Sequence, residues 1–149
     1  MDSIRSWLYI GKYRETLSQS LLAIHRIQAM LQLAEAVEQP GIASLYLQVE
    51  DLEPIPSQLL RQGLDFVREH KREGHRILIA CGAGINRSTA FAVATLKEEE
   101  GLTLLDAFRE IKRKHPEALP HQPVWESLCN YYQEDVPHLT LLRITLSSE

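Results

Sequence analysis

Cysteine is scarce in this chain. Of its 149 residues only Cys81 and Cys129 are cysteines, and they stand far apart. Such a pair makes no disulfide framework and suits a reducing compartment. No apolar run approaches the roughly 20 residues of a membrane span. The opening Met1-Asp2-Ser3-Ile4-Arg5-Ser6-Trp7 lacks the charged and apolar regions of a secretory leader. Positive charge is not in excess either. A net charge of -4 argues against a dedicated nucleic-acid binder and leaves room only for a local basic pocket. Internal repeats, low-complexity segments and linkers are missing. The six histidines show no metal-ligand spacing with one another or with the cysteines. These absences leave a cytoplasmic chain of one-domain size. At 44% hydrophobic and 24% charged, it can bury a core without disulfides.

One stretch stands out, Ile77-Leu78-Ile79-Ala80-Cys81-Gly82-Ala83-Gly84-Ile85-Asn86-Arg87-Ser88-Thr89. It reads as a buried strand, a short glycine-containing loop and the start of a buried helix. Loop amides and first helical amides arranged this way converge on an anion, and the helix dipole favours negative charge there. Cys81 opens the loop and Arg87 closes it. The guanidinium can grip two phosphoryl oxygens at once, which lysine cannot. Gly82 and Gly84 permit close approach of oxygens, and Gly82, Ala83, Gly84, Ile85, Asn86 and Arg87 form the expected phosphate-binding loop. The same amides and dipole favour the thiolate of Cys81. The hydroxyl of Ser88 can hydrogen-bond that thiolate and assist its departure. A buried structural cysteine is the bland alternative for Cys81, and the joint pattern speaks against it.

Around this stretch the chain alternates strands and helices. Ile4–Ile10 reads as a short edge strand and Arg14–Arg26 as a helix. Ile27–Ala34 and the alternation of Leu45, Leu47 and Val49 read as two strands. Ser57–Arg72 is an amphipathic helix that Gly74 stops. Gly101 closes the helix after the loop, Thr103 caps the next one, and Pro116 stops it. Pro123 suits the first turn of a last amphipathic helix bearing Val124, Trp125, Leu128, Cys129 and Tyr132. The pattern implies an α/β fold with parallel strands at the centre, and the Cys81 loop leaves the carboxyl end of a strand, where such sheets bind ligands. In the tail, Leu142-Arg143-Ile144-Thr145-Leu146 alternates with a period of two. Residues 137–149 are therefore expected to form an extra strand on the sheet edge or a dimer contact with a second copy. Arg109, Lys112, Arg113 and Lys114 read as a solvated helix end. The histidines read as surface residues, apart from His121, whose segment approaches the loop.

The loop Cys81–Ser88 resembles the signature of cysteine-dependent protein phosphatases, and the whole chain resembles their compact dual-specificity branch. Ile4–Gly11, Ile27–Ala34, Leu102–Phe108, His115-Pro116 and Pro120–Leu128 carry the rest of the resemblance. It spans residues 4–133 of a domain taken as 1–136. It implies the compact cysteine-phosphatase fold, a central mostly parallel sheet flanked by helices. It also implies hydrolysis of phosphotyrosine and phosphoserine or phosphothreonine on proteins or peptides through a phosphocysteine, with no metal or other cofactor and no nucleic-acid or membrane partner. Spacing leaves the general acid open among Glu50, Asp51 and Glu53; the resemblance favours Asp51. Two positions depart from the family pattern. Ala80 stands where a histidine usually precedes the cysteine, and His121 where Asn is common. Ala80 supports a second reading, a phosphate-binding pseudophosphatase that recognises phosphoproteins. A third is a phosphatase acting on RNA 5′-triphosphate, which the net charge disfavours. Uncharged Ala83, Ile85 and Asn86 speak against phosphoinositides.

Overall fold

A computed structural model describes residues 1–147 of the chain. Five strands form one sheet: β1 (Asp2–Arg5), β2 (Leu8–Lys12), β3 (Ile27–Gln32), β4 (Ala43–Tyr46) and β5 (Arg76–Cys81), in the order β1-β2-β5-β3-β4. β1 and β2 are antiparallel and the other pairings parallel. The sheet is therefore mixed and mostly parallel, with β5 flanked on both sides. Six helices accompany it: α1 (Gln19–Ile24), α2 (Ser57–Arg72), α3 (Arg87–Glu100), α4 (Leu104–Lys114), α5 (Gln122–Tyr132) and α6 (His138–Ser147).

The alternation of β5 sorts two apolar layers. Ile77, Ile79 and Cys81 face the main core, formed with α2 to α6. Leu78 and Ala80 face a smaller layer with Tyr9, Leu22, Ile27 and Met30. β5 is wholly apolar from Ile77 because both its faces are covered, as expected of a central parallel strand. Helix α3 follows the same logic. Every residue from Ser88 to Leu96 is buried, so it carries no polar stripe and runs through the middle of the main core. The neighbouring α2 and α4 are amphipathic and close over it. Among the described residues no helix is long and apolar enough to cross a membrane.

Several expectations needed correction. The edge strand at Ile4–Ile10 is a hairpin, because the chain turns at Ser6-Trp7. The helix expected over Arg14–Arg26 is split in two. A 3-10 turn over Tyr13–Leu17 ends at Ser18, whose hydroxyl then caps α1 by accepting from the Leu21 amide. The strand carrying Leu45 ends at Tyr46; Leu47 and Val49 are buried beyond the ladder.

The tail is helical. Leu141, Ile144 and Thr145 are related by the i, i+3, i+4 spacing of a helix, and a five-residue alternation could not distinguish the two periods. α6 packs on α4 and α5 of its own chain rather than on the sheet edge. Leu141 is fully buried, whereas Leu139 stays 53% exposed. Residues 148–149 of the expected strand lie outside the described residues. Lys112 is not solvated. It is buried and donates from Nζ to the Ala118 carbonyl at 2.9 Å, and burial pushes its ammonium down from the ordinary value.

A charge network staples α2 to α3. Arg61 donates to Glu98 at 2.7 and 3.0 Å, Arg68 to Glu98 and Glu99 at 2.8 Å, and the Tyr132 hydroxyl also donates to Glu98. Burial alone would raise the Glu98 carboxyl. The bonds from Arg61 and Tyr132 outweigh it and hold the group below its usual range; Arg68 and Lys71 do the same for Glu99.

Two outcomes test this architecture. In urea denaturation Leu141→Ala should cost about 2–5 kcal/mol, and Leu139→Ala should stay within about 0.5 kcal/mol. A tail lying free of the core would make the two alike. Because both carboxyls are depressed on folding, their contribution is complete above the ordinary carboxyl value of 4.5 and disappears as pH falls below it. The urea midpoint should therefore fall between pH 5 and 3, and less steeply in Glu98→Gln than in the native chain.

Candidate active site

The loop Gly82–Asn86 joins the carboxyl end of β5 to the first turn of α3, and its shape is set by what holds its carbonyls. The Gly82 carbonyl accepts from the Tyr13 amide at 3.4 Å, and the Ile85 carbonyl accepts from the Leu119 amide at 3.2 Å. The Gly84 carbonyl lies 2.5 Å from His115 Nε2. In a trans peptide the N–H points opposite to the C=O, so the amides of Ala83, Ile85 and Asn86 are directed away from these three tethers. Gly84 has φ +73°, and a Cβ there would stand 3.1 Å from the Gly11 carbonyl oxygen. A side chain at this position would be strained and crowded at once. Gly82 and Ala83 are exposed, so the loop opens at the surface.

Cys81 lies at the base of the loop, 2% exposed. Its Sγ is 3.1 Å from the Ser88 hydroxyl and accepts from the Ser88 amide at 3.4 Å. Ser88 belongs to the first turn of α3, so the sulfur looks along the positive end of a long buried helix. Arg87 is anchored by one nitrogen only. Nη1 donates to the carbonyls of Leu33 and Val49, both at 2.9 Å. These mark the chain just beyond β3 and β4, so the sheet itself aims the guanidinium. Nε is buried and makes no hydrogen bond, and Nη2 lies 3.4 Å from where a Cβ on Gly82 would be. The Nε/Nη2 edge is thus the fork turned to the loop.

Asp51 comes to the same place from a different part of the chain. Its Oδ1 is 3.4 Å from Arg87 Nε, an ion pair without hydrogen-bond geometry, and accepts from Asn86 Nδ2 at 2.8 Å. The Asn86 side chain also donates to the Asp51 carbonyl and accepts from the His121 amide at 2.7 Å. Asn86 therefore commits its side chain to holding the Asp51 loop and the start of α5 together, and only its backbone amide is left for an anion. Glu50 and Glu53 are exposed, and among the described residues neither has a partner in this cluster.

The structure therefore gathers Cys81, Ser88, Arg87, Asp51 and the loop. It also brings in His115, for which the sequence predicts a surface position. His115 is 4% exposed, with Nδ1 2.5 Å from Asp2 Oδ2 and Nε2 2.5 Å from the Gly84 carbonyl. The ring therefore bridges the start of β1 to the loop. Adjacency to Pro116 gave no hint of this, because Asp2 and Gly84 are remote in sequence. His121 contributes its backbone, and its side chain is exposed. Cys129 is free and bonds to the Val136 carbonyl at 3.5 Å, which gives it no part in the site.

The family model for the dual specificity phosphatase catalytic domain matches residues 8–134. Dual specificity protein phosphatase 1 of Arabidopsis thaliana is 27% identical over 79% of this chain and 62% of its own length. A probable rhodanese domain-containing dual specificity protein phosphatase of Dictyostelium discoideum is 28% identical over 94% of this chain and 29% of its own length. The chain thus spans less than two thirds of either relative. The crystal structure of human DUSP28 superposes with a TM-score of 0.83 at 24% identity, covering 89% of this chain and 96% of that one. With the family model covering most of the chain, and with the mixed five-stranded sheet and the loop at the end of its central strand, the chain belongs to the dual specificity phosphatase catalytic-domain family.

Proposed function

We propose that this protein is a phosphatase that hydrolyses phosphotyrosine and phosphoserine or phosphothreonine on protein substrates through a phosphocysteine. The observation that carries the proposal is the convergence of four groups from three parts of the chain, the end of β5, the first turn of α3 and the Asp51 loop. Cys81 Sγ lies against the Ser88 amide and hydroxyl, the free edge of Arg87 faces the loop, and the Asp51 carboxylate sits 3.4 Å from that edge. In this reading a phosphoryl dianion takes the loop amides and the Arg87 fork. Cys81 attacks phosphorus as the thiolate, the bond to the leaving oxygen breaks, and protonated Asp51 supplies that oxygen with its proton. Water then attacks the phosphocysteine and gives a proton to Asp51, the sulfur–phosphorus bond breaks, and the Ser88 hydroxyl stabilises the departing thiolate. Charge on the transferred group is met by amides and guanidinium throughout. Free Cys81 and Cys129 are compatible with a cytoplasmic setting, where the nucleophile stays reduced.

A binding-only protein is the second reading, and Ala80 is the feature that favours it. Its weight is reduced by the alternation of β5. Ala80 faces the small layer with Met30 and Leu22, opposite to Cys81, and the loop has another imidazole in His115 on the Gly84 carbonyl.

Turnover of p-nitrophenyl phosphate decides between the two. The native chain should release phosphate with a covalent intermediate trappable on Cys81, and Cys81→Ser should reduce kcat at least about 1,000-fold while still binding phosphopeptide. Equal, negligible rates in both proteins would leave the binding-only reading. Asp51→Asn should lose about 100-fold or more in kcat on an alkyl phosphate, and little on a substrate whose leaving group needs no proton. A loss independent of the leaving group would remove Asp51 from the acid role.

A further inference from the structure

Outside this site, three side chains with metal-ligating atoms converge at the far end of β5. His70 and His75 face each other through Nδ1 at 2.9 Å, with ring centroids 5.2 Å apart, and Glu73 Oε2 lies 3.5 Å from His75 Nδ1. All three ligand atoms fall within 4.8 Å of one another, and they form the one such trio among the described residues. The spacing His-x2-Glu-x-His was not informative by itself, because it straddles a helix end. α2 stops after Arg72, and Gly74 turns the chain at φ +77°. The His75 amide donates back to the His70 carbonyl at 3.0 Å, and that turn carries the second imidazole over the first.

We propose that His70, Glu73 and His75 form a binding site for a borderline divalent transition metal such as Zn2+, with water completing the coordination. Four features support it. Two imidazoles and a carboxylate are the donor set such ions prefer, and Mg2+ and Ca2+ do not. Two nitrogens bound to tetrahedral zinc at about 2.05 Å lie roughly 3.3 Å apart, so the rings need to open by only about 0.4 Å. The ligands are already ordered: backbone bonds close the turn, and the His70 ring packs on Phe66 at a centroid distance of 4.5 Å. The carbonyl end of α2 adds the negative pole of its dipole, and nearby Lys71 and Arg68 are occupied by Glu99 and Glu98. The hydrogen bond between the two Nδ1 atoms needs a proton on one of them, and moving it to the outer Nε2 of its own ring frees both Nδ1 lone pairs with no net release of a proton.

The site does not depend on the phosphatase reading. His75 immediately precedes β5 and Cys81 ends it, which separates the trio from the thiol by roughly 20 Å at about 3.3 Å per residue. A metal here ties the end of α2 to the start of the central strand. Its effect is on stability and not on turnover.

Zinc binding to the full-length Cys81→Ser chain, which removes the competing thiolate, tests the site by calorimetry. One equivalent of Zn2+ should bind. Co2+ in its place should show the visible absorption of a four-coordinate site, and saturating Zn2+ should raise Tm by about 5 °C. His70→Ala and His75→Ala should each weaken binding by more than the roughly 10-fold that loss of a supporting partner costs. Glu73→Gln, an exposed and near-isosteric change, should weaken it while leaving the metal-free Tm unchanged. Absence of a one-equivalent event, or its survival in the double His70→Ala/His75→Ala variant, would overturn the assignment.

Discussion

The amides of Ala83, Ile85 and Asn86 can face an anion because the carbonyls on the other side of their peptide planes are held elsewhere. Each tether comes from a different part of the chain. Tyr13 follows β2, His115 ends α4, and Leu119 lies in the connection to α5. A five-residue loop with two glycines has many conformations, and ordering each backbone residue costs about 1–2 kcal/mol. The loop cannot meet that cost from its own contacts. It is ordered by the surrounding fold, so its shape exists only once β2, α4 and the α5 connection have docked. Gly84 is where these demands meet: its φ is positive, its neighbour is the Gly11 carbonyl, and its own carbonyl is the one that His115 holds.

The same dependence explains why Cys81 and Ala80, adjacent in sequence, have such different settings. A strand sends successive side chains to opposite faces. Cys81 therefore shares the main core with α3, where the Ser88 amide and the helix dipole reach it. Ala80 goes to the thin layer under α1. Ala80 can influence the loop only through the backbone or around the end of the strand. The buried imidazole that does touch the loop carbonyl comes from residue 115.

What could be read along the chain was local. The strand–loop–helix around Cys81 was clear because each part carries its own signal: an apolar run, glycines, then an apolar helix. The same holds for α2, α4 with its Thr103 cap, and the stop at Gly101. Errors arose where period was measured over too few residues, as in the tail, or where a turn lacked glycine and proline, as at Ser6-Trp7. Side chains with long-range partners are the least legible in sequence. Lys112 looks like a member of a solvated basic run and His115 like a surface histidine until Ala118, Asp2 and Gly84 are seen around them. The convergence of His70 with His75 likewise needs the turn at Gly74, which spacing does not encode.

Asn86 shows how one side chain can do different work from what its position in a motif suggests. It stands inside the loop Gly82–Asn86, yet its amide group bridges two other segments, donating to Asp51 and accepting from His121. An Asn offers both donors and an acceptor on a short stem, which serine or glycine at this place could not reproduce. The consequence is a direct mechanical link between this loop and the loop that carries Asp51. Whatever orders residues 82–86 also fixes the carboxylate beside Arg87. Conversely, the Asp51 carboxylate, 3.4 Å from Arg87 Nε, is tied through Asn86 to the same loop, so a shift of residues 82–86 would carry it away from the guanidinium.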